Sequence, residues 1–193
     1  WLTTGPTTKS FEEQIAKIYN KKQALFVNSG SSAILLMVAA LFYTQNPKLR
    51  LKHGDEVIVP AVSWSTTYYP LYQYGLKIKF VDIDLHTLNY DLDQLEKAVT
   101  GNTRAIMAVN LLGNPNDFAR IKKIINGRDI VLMEDNCESL GATFKGKKAG
   151  TFGVMGTFST FFSHHISTME GGLIVTDDEE IYQILLSLRA HGW

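Results

Sequence analysis

Short apolar runs alternate along the chain with stretches of helical length. ALFVN at 24–28, EVIVPA at 56–61, KIKFVDID at 77–84, RAIMAVN at 104–110 and IVLMED at 130–135 are such runs, and LIVTD at 173–177 is another. Near-continuous apolar runs of this length predict strands covered on both faces, as in parallel sheets. Between them, SSAILLMVAALFYTQ at 31–45 reads as a helix apolar on every side, which must therefore be buried. STTYYPLYQYG at 65–75, LDQLEKAVT at 92–100 and DFARIKKIIN at 117–126 read as further helices. SFEEQIAKIYN at 10–20 carries Phe11, Ile15 and Ile18 at helical spacing, behind a capping box of Ser10 and Glu13. At the other end, Asp177 with Glu180 is expected to cap EEIYQILLSLRA. Strand and helix in turn predict an α/β sheet with helices on both faces. With no internal repeat, low-complexity tract or linker, residues 1–193 read as one domain.

Composition narrows the partners. A chain of 193 residues with 45% hydrophobic content can build one sizeable core. Its 19 basic and 19 acidic residues balance to zero, leaving no electrostatic footprint for nucleic acid or an anionic membrane surface. No apolar run reaches the length of a membrane span. The single cysteine, Cys137, rules out an internal disulfide and fits a reducing, cytoplasmic setting. Trp1 is no initiator and RAHGW follows directly on a helical pattern, so the expectation is a piece of a longer protein that lacks a small C-terminal domain.

Ligands of open α/β sheets sit beyond the carboxyl ends of the strands, and three polar clusters fall there. In NSGSS at 28–32, Gly30 permits close backbone approach, and the helix start at Ser31 and Ser32 offers free N–H groups to an anion. A plain serine-capped turn has the same sequence. Asp135 ends an apolar strand, where its carboxylate can pair with a pyridinium nitrogen or merely cap a helix; Glu138 follows it, and Glu134 alternates to the other face. FSTFFSHHISTMEGG at 158–172 brings His164 and His165 to a loop. Neighbours on an extended chain point apart, so a metal pair is not expected and no metal site is assigned. Histidine suits proton transfer near neutral pH, and Gly171-Gly172 suggests a tight backbone approach. Trp64, after another strand, is either core or a ring-stacking platform.

In their order along the chain, strand–NSGS–helix, the tryptophan, EDNCESLGA and GTFSTFFSHH…EGG, these motifs resemble the DegT/DnrJ/EryC1/StrS sugar aminotransferase family. The resemblance runs from FEEQIAKIYN to LRAHG. It implies the large domain of fold-type-I pyridoxal-phosphate enzymes, with a mostly parallel seven-stranded sheet between helices and an active site at a homodimer interface. By motif position, the backbone and hydroxyls of Ser31 and Ser32, joined by Ser159, would hold the cofactor phosphate, with Gly30 beside them in the cofactor site. Asp135 would meet the pyridine nitrogen, Trp64 would stack on the ring and Glu138 would lie beside the ring hydroxyl.

One position departs from that pattern. His164 stands where most of the family carries the lysine that binds the cofactor covalently, and His165 where an asparagine is usual. This exchange resembles the 3-dehydratase branch, which implies removal of the C3 hydroxyl from a nucleotide-linked 4-keto-6-deoxy sugar. His164 would be the catalytic residue, pyridoxal or pyridoxamine phosphate the cofactor and glutamate the amine source, in deoxysugar and O-antigen lipopolysaccharide synthesis. SHHISTMEGG is closer to the arm acting on a GDP-mannose-derived sugar than to the CDP-glucose arm, which uses an iron–sulfur cluster. Cys137 resembles the first cluster ligand of that second arm; the expectation is nonetheless an inert cysteine and no cluster. Two further readings stand beside these: an aminotransferase served by Lys145, Lys147 or Lys148, and a non-catalytic regulator that kept the pocket.

Overall fold

A computed structural model describes residues 4–192. Its strands are β1 (Gln23–Val27), β2 (Glu56–Pro60), β3 (Lys77–Val81), β4 (Thr103–Val109), β5 (Val131–Asp135), the short hairpin β6 (Thr143–Phe144) and β7 (Lys147–Lys148), β8 (Met155–Ser159) and β9 (Gly172–Thr176). The helices are α1 (Pro6–Ile18), α2 (Gly30–Tyr43), α3 (Ser65–Gln73), α4 (Leu92–Ala98), α5 (Phe118–Ile125) and α6 (Glu179–Arg189). Seven strands form one sheet in the order β1-β9-β8-β5-β4-β2-β3. β3, β2, β4, β5 and β8 pair in parallel, while β9 runs antiparallel to both β8 and β1. The chain therefore has the expected α/β architecture, a mostly parallel seven-stranded sheet between helices.

The apolar helix is buried for the reason its composition gives. Ala33, Met37, Val38, Ala40 and Leu41 of α2 are inaccessible to solvent and pack in one cluster with Leu25, Val57, Met107 and Met133 of the strands. Ile58, Ile106 and Leu132 point to the opposite face, where they meet Leu95 of α4 with Phe118 and Ile121 of α5. The alternation along each strand thus feeds a core on both sides.

Both expected capping motifs are displaced. α1 begins at Pro6, whose fixed φ and missing N–H suit a first helical turn. That start places Ser10 inside the helix, where its hydroxyl accepts from Gln14 Nε2 at 3.2 Å instead of capping. α6 is capped by Asp178, whose Oδ1 accepts the Ile181 N–H at 3.0 Å. Asp177 instead pairs with Lys21 at 2.7 Å, and Glu180 accepts the Gln45 N–H at 2.6 Å and the Thr44 hydroxyl at 2.8 Å. At α6, long-range partners displace the local box, tying that helix start to the turn before β1 and to the end of α2.

Glu134 does face away from Asp135, into the fold. Its Oε2 accepts the Gly150 N–H at 2.6 Å, and Oε1 accepts those of Phe152 and Gly153 at 2.5 Å each. The carboxylate thus staples the turn that leads into β8. Burial pushes its pKa from the ordinary 4.5 up to about 7, against the opposing pull of these N–H donors. A pKa raised on folding gives stability that is full below about 4.5 and lost as pH rises through about 7. Glu134→Gln puts an NH2 group where an acceptor is needed and strands at least one buried N–H, at about 1–3 kcal/mol. Urea unfolding should show the wild-type margin over this variant shrinking as pH rises from about 5 to about 7.5. A margin that grows with pH would contradict the assignment.

Candidate active site

The carboxyl ends of β4, β5 and β8, the start of α2 and the start of α3 enclose a cavity of about 400 Å³, within the usual range for small-ligand sites. Asp135 forms part of its wall and is only 4% exposed. Thr67 Oγ1 donates to its Oδ2 at 2.7 Å, and the Cys137 N–H donates to Oδ1 at 3.1 Å. Burial raises the Asp135 pKa, while these donors pull it back. No lysine or arginine lines the cavity, and none pairs with Asp135 among the described residues. A buried carboxylate facing a cavity without a protein cation is suited to a cationic group on a ligand.

The start of α2 supplies the complementary end. Ser29 is its N-cap: the side chain accepts the Ser32 N–H at 3.0 Å, and the Ser29 carbonyl accepts that of Ala33 at 3.0 Å. The N–H groups of Gly30 and Ser31 precede the first intrahelical bond and have no helical partner. A Cβ on Gly30 would lie 2.8 Å from both Cys137 Sγ and Ser159 Cβ, so only glycine lets the helix start come this close to the ends of β5 and β8. Gly30, Ser31 and Ser159 all line the cavity, and Ser31 Oγ donates to Thr66 Oγ1 at 3.0 Å. Ser32 does not reach it. Its N–H is taken by the cap and its hydroxyl lies 3.1 Å from that of Ser29. Gly30, Ser31, Ser159 and Thr66 thus share one part of the cavity wall, of which Ser32 is not a member.

The histidine loop is tied at its neck. The Thr168 N–H donates to the Thr160 carbonyl at 2.9 Å, and the two hydroxyls lie 2.7 Å apart. Inside the loop the His164 N–H donates to the Phe161 carbonyl at 2.9 Å, which turns the chain and sets the imidazole edge-on to the Phe161 ring. His164 lines the cavity with Ser163 and Glu170, whereas His165 is exposed and outside it. The two side chains diverge, and among the described residues no cluster of three or more His, Cys, Asp and Glu could hold a metal.

Trp64 lines the cavity at its rim, with 73% of its surface exposed. Glu138 also lines it, and its Oε2 accepts the Leu112 N–H at 2.9 Å. That bond fixes the turn Leu111–Gly113, in which Leu112 holds a left-handed φ of 51°. Lys145, Lys147 and Lys148 lie elsewhere, on and beside the hairpin, with their amines over the rings of Phe144, Phe152 and Tyr19. None reaches the cavity, which removes them as stand-ins for a cofactor lysine. Cys137 lines the cavity, and burial beside Asp135 and Glu138 pushes its thiol well above the ordinary value.

Sequence reasoning missed Ser63, Thr66, Thr67, Asn110 and Glu170. Asn110 was within reach, since it closes the apolar run of β4 as Asp135 closes that of β5. The α3 hydroxyls carry no such signal, because STTYYP reads equally as a surface helix start.

The model of the DegT/DnrJ/EryC1/StrS aminotransferase family matches residues 1–193. The chain is 68% identical over 192 residues to the GDP-4-keto-6-deoxy-D-mannose 3-dehydratase of Escherichia coli O55:H7, covering 100% of this chain and 49% of that one. It is 63% identical to the enzyme of the same name from Yersinia pseudotuberculosis, with 100% and 48% covered. Among solved structures it superimposes, with a TM-score of 0.96 and 67% identity, on a GDP-4-keto-6-deoxymannose-3-dehydratase with a trapped PLP-glutamate geminal diamine, covering 99% of this chain and 49% of that one. The chain spans about half the length of the curated relatives it matches.

Proposed function

The chain belongs to the DegT/DnrJ/EryC1/StrS aminotransferase family, and from that premise we propose that it is the cofactor-binding half of a nucleotide-sugar 3-dehydratase. The substrate is a GDP-linked 4-keto-6-deoxymannose, the cofactor pyridoxal or pyridoxamine phosphate, and the amine source glutamate. The observation that carries this reading is the pairing of His164 with a lysine-free cavity whose other features suit the cofactor.

The residues fit the group. Asp135, buried and without a cation partner, suits a protonated ring nitrogen. The Gly30 and Ser31 N–H groups, with the Ser31 and Ser159 hydroxyls, suit a phosphate. Trp64 at the rim offers a ring face, and Glu138, anchored to the Leu112 N–H, keeps one oxygen for a ring hydroxyl or the sugar. When bound, the cofactor supplies an amine to join the 4-keto carbon and a ring that accepts the electron pair. The protein supplies the proton traffic: the His164 imidazole accepts a proton and returns it to the departing C3 oxygen, acting as base and then acid. With no lysine lining the cavity, no residue among those described is placed to hold the cofactor covalently.

The reading without an iron–sulfur cluster is supported by the 68% identity to a GDP-4-keto-6-deoxy-D-mannose 3-dehydratase. A homodimer is supported by the exposed apolar side chains of the histidine loop, Phe162, Ile166 and Met169, which would be covered by a second subunit. The single cysteine fits a cytoplasmic enzyme.

Incubating the full-length protein with GDP-4-keto-6-deoxymannose, pyridoxal phosphate and glutamate should give a 3-deoxy-4-keto sugar, 2-oxoglutarate and ammonia by mass spectrometry. A stable 4-amino sugar instead would mean that the protein is an aminotransferase tolerating His164. No turnover of GDP- or CDP-linked keto sugars would favour a regulator.

A further inference from the structure

Thr67 is buried in the first turn of α3, and its hydroxyl points into the sheet at Asp135, with Oγ1 donating to Oδ2 at 2.7 Å. A hydroxyl has one proton to give. Its second contact, 2.8 Å to Ser63 Oγ, must then run the other way, with Ser63 donating. Ser63 lines the cavity, so a directed chain leads from the cavity wall through Thr67 to the carboxylate. The other carboxylate oxygen accepts the Cys137 N–H at 3.1 Å. The two donors come from different elements, α3 and the turn after β5, and together they fix the plane of the carboxylate.

We propose that Thr67, backed by Ser63, is the positioning residue for Asp135: it sets the carboxylate plane and keeps the group anionic to meet a protonated ring nitrogen. This rests on the reading of the cavity as a pyridoxal-phosphate site. Burial drives the Asp135 pKa upward, and the Thr67 hydrogen bond is the largest influence opposing it, ahead of Cys137. Among the other titratable groups facing Asp135, the Cys137 thiol also pulls its pKa down, but less than Thr67 does. Cys137 and Glu138 on the same turn and Tyr68 on α3 are neutral or acidic, while His164 and Glu170 line the cavity from the loop. Without Thr67 the carboxylate would hold its proton to higher pH, and a neutral Asp135 would no longer attract a pyridinium.

The test compares wild type, Thr67→Val and Thr67→Ser in the full-length protein. Valine keeps the shape and removes the hydroxyl; serine restores it. Pyridoxal-phosphate affinity is measured by tryptophan fluorescence from about pH 5 to 8.5. The Asp135 titration is followed in the cofactor-free protein by carboxyl ¹³C NMR. Thr67→Val should bind about tenfold more weakly at neutral pH, the scale of one hydrogen bond to a charged group. Its acid limb and its Asp135 midpoint should both move up by about one pH unit, and Thr67→Ser should recover both. Should the valine variant not fold, Ser63→Ala must shift the midpoint in the same direction by less. An unmoved midpoint overturns the assignment, whether affinity is unchanged or falls equally at every pH, since the second pattern is that of a merely structural residue. Wild-type protein that does not bind pyridoxal phosphate overturns both this inference and the cofactor reading, whereas wild-type binding with an unmoved midpoint overturns this inference alone.

Discussion

Replacing His164 with asparagine is expected to cut dehydration by about 10²–10⁴-fold, the usual cost of losing a general acid–base group, while leaving pyridoxal-phosphate affinity within a few-fold of wild type. The two effects separate because different elements carry them. The residues proposed to hold the cofactor, Asp135, Gly30, Ser31 and Ser159, sit on strand ends and a helix start. His164 sits on a loop closed by Thr160 and Thr168, and its fold depends on a backbone N–H that asparagine retains. Asparagine fills similar space and hydrogen-bonds but carries no titratable proton. Rapid-quench measurement of 3-deoxy sugar beside a binding titration checks both halves. Near-normal turnover would place the base elsewhere. The sequence alone makes His165 the first substitute, but that side chain is exposed and outside the cavity, so Glu170, which lines it, takes its place. Loss of cofactor binding in step with activity would instead mean that the loop, and not the imidazole, was damaged.

Much of the scaffold was legible because it follows from burial. A strand covered on both faces must be apolar throughout, and a helix apolar on all sides must lie inside, so the strand runs and α2 could be read directly. The polar residues closing those runs, Asp135 above all, were legible for the same reason: a carboxylate at the end of a buried strand has few places to go. Capping was not, because Ser10 with Glu13 satisfies the local pattern even where the helix starts earlier, at Pro6, and Asp177 with Glu180 satisfies it whether or not a distant element competes. Lys21, Thr44 and Gln45 are such competitors, separated from their partners by more than a hundred residues. That Ser32 stays off the cavity wall was hidden for a related reason. The sequence shows hydroxyls at a helix start but not which of them the cap consumes. Thr67 was invisible, since its importance lies in facing Asp135 across 68 positions of sequence.

Gly172→Ala is the substitution expected to damage the fold most per atom added. Gly172 opens β9 in the interior of the sheet, opposite Val27 of β1 and Ser159 of β8. A Cβ there would lie 2.1 Å from the Ser29 carbonyl oxygen, 2.4 Å from its carbon and 2.7 Å from the Gly30 nitrogen. These are backbone atoms, so no side chain can rotate aside, and the start of α2 must move off the sheet. Added bulk in a packed interior costs about 1–3 kcal/mol and occasionally more; with three backbone atoms in the way, the loss should be about 3 kcal/mol or greater. The same displacement moves the Gly30 and Ser31 N–H groups, so phosphate affinity should fall even in protein that still folds. Gly101→Ala is the control, because its Cβ meets nothing within 4 Å, and it should stay within about 0.5 kcal/mol of wild type. Denaturant unfolding of the two variants, with pyridoxal-phosphate titration of whatever remains folded, decides the matter. A Gly172→Ala protein as stable as the control would mean that β9 and the start of α2 are not in contact, and the phosphate site proposed on that contact would go with it.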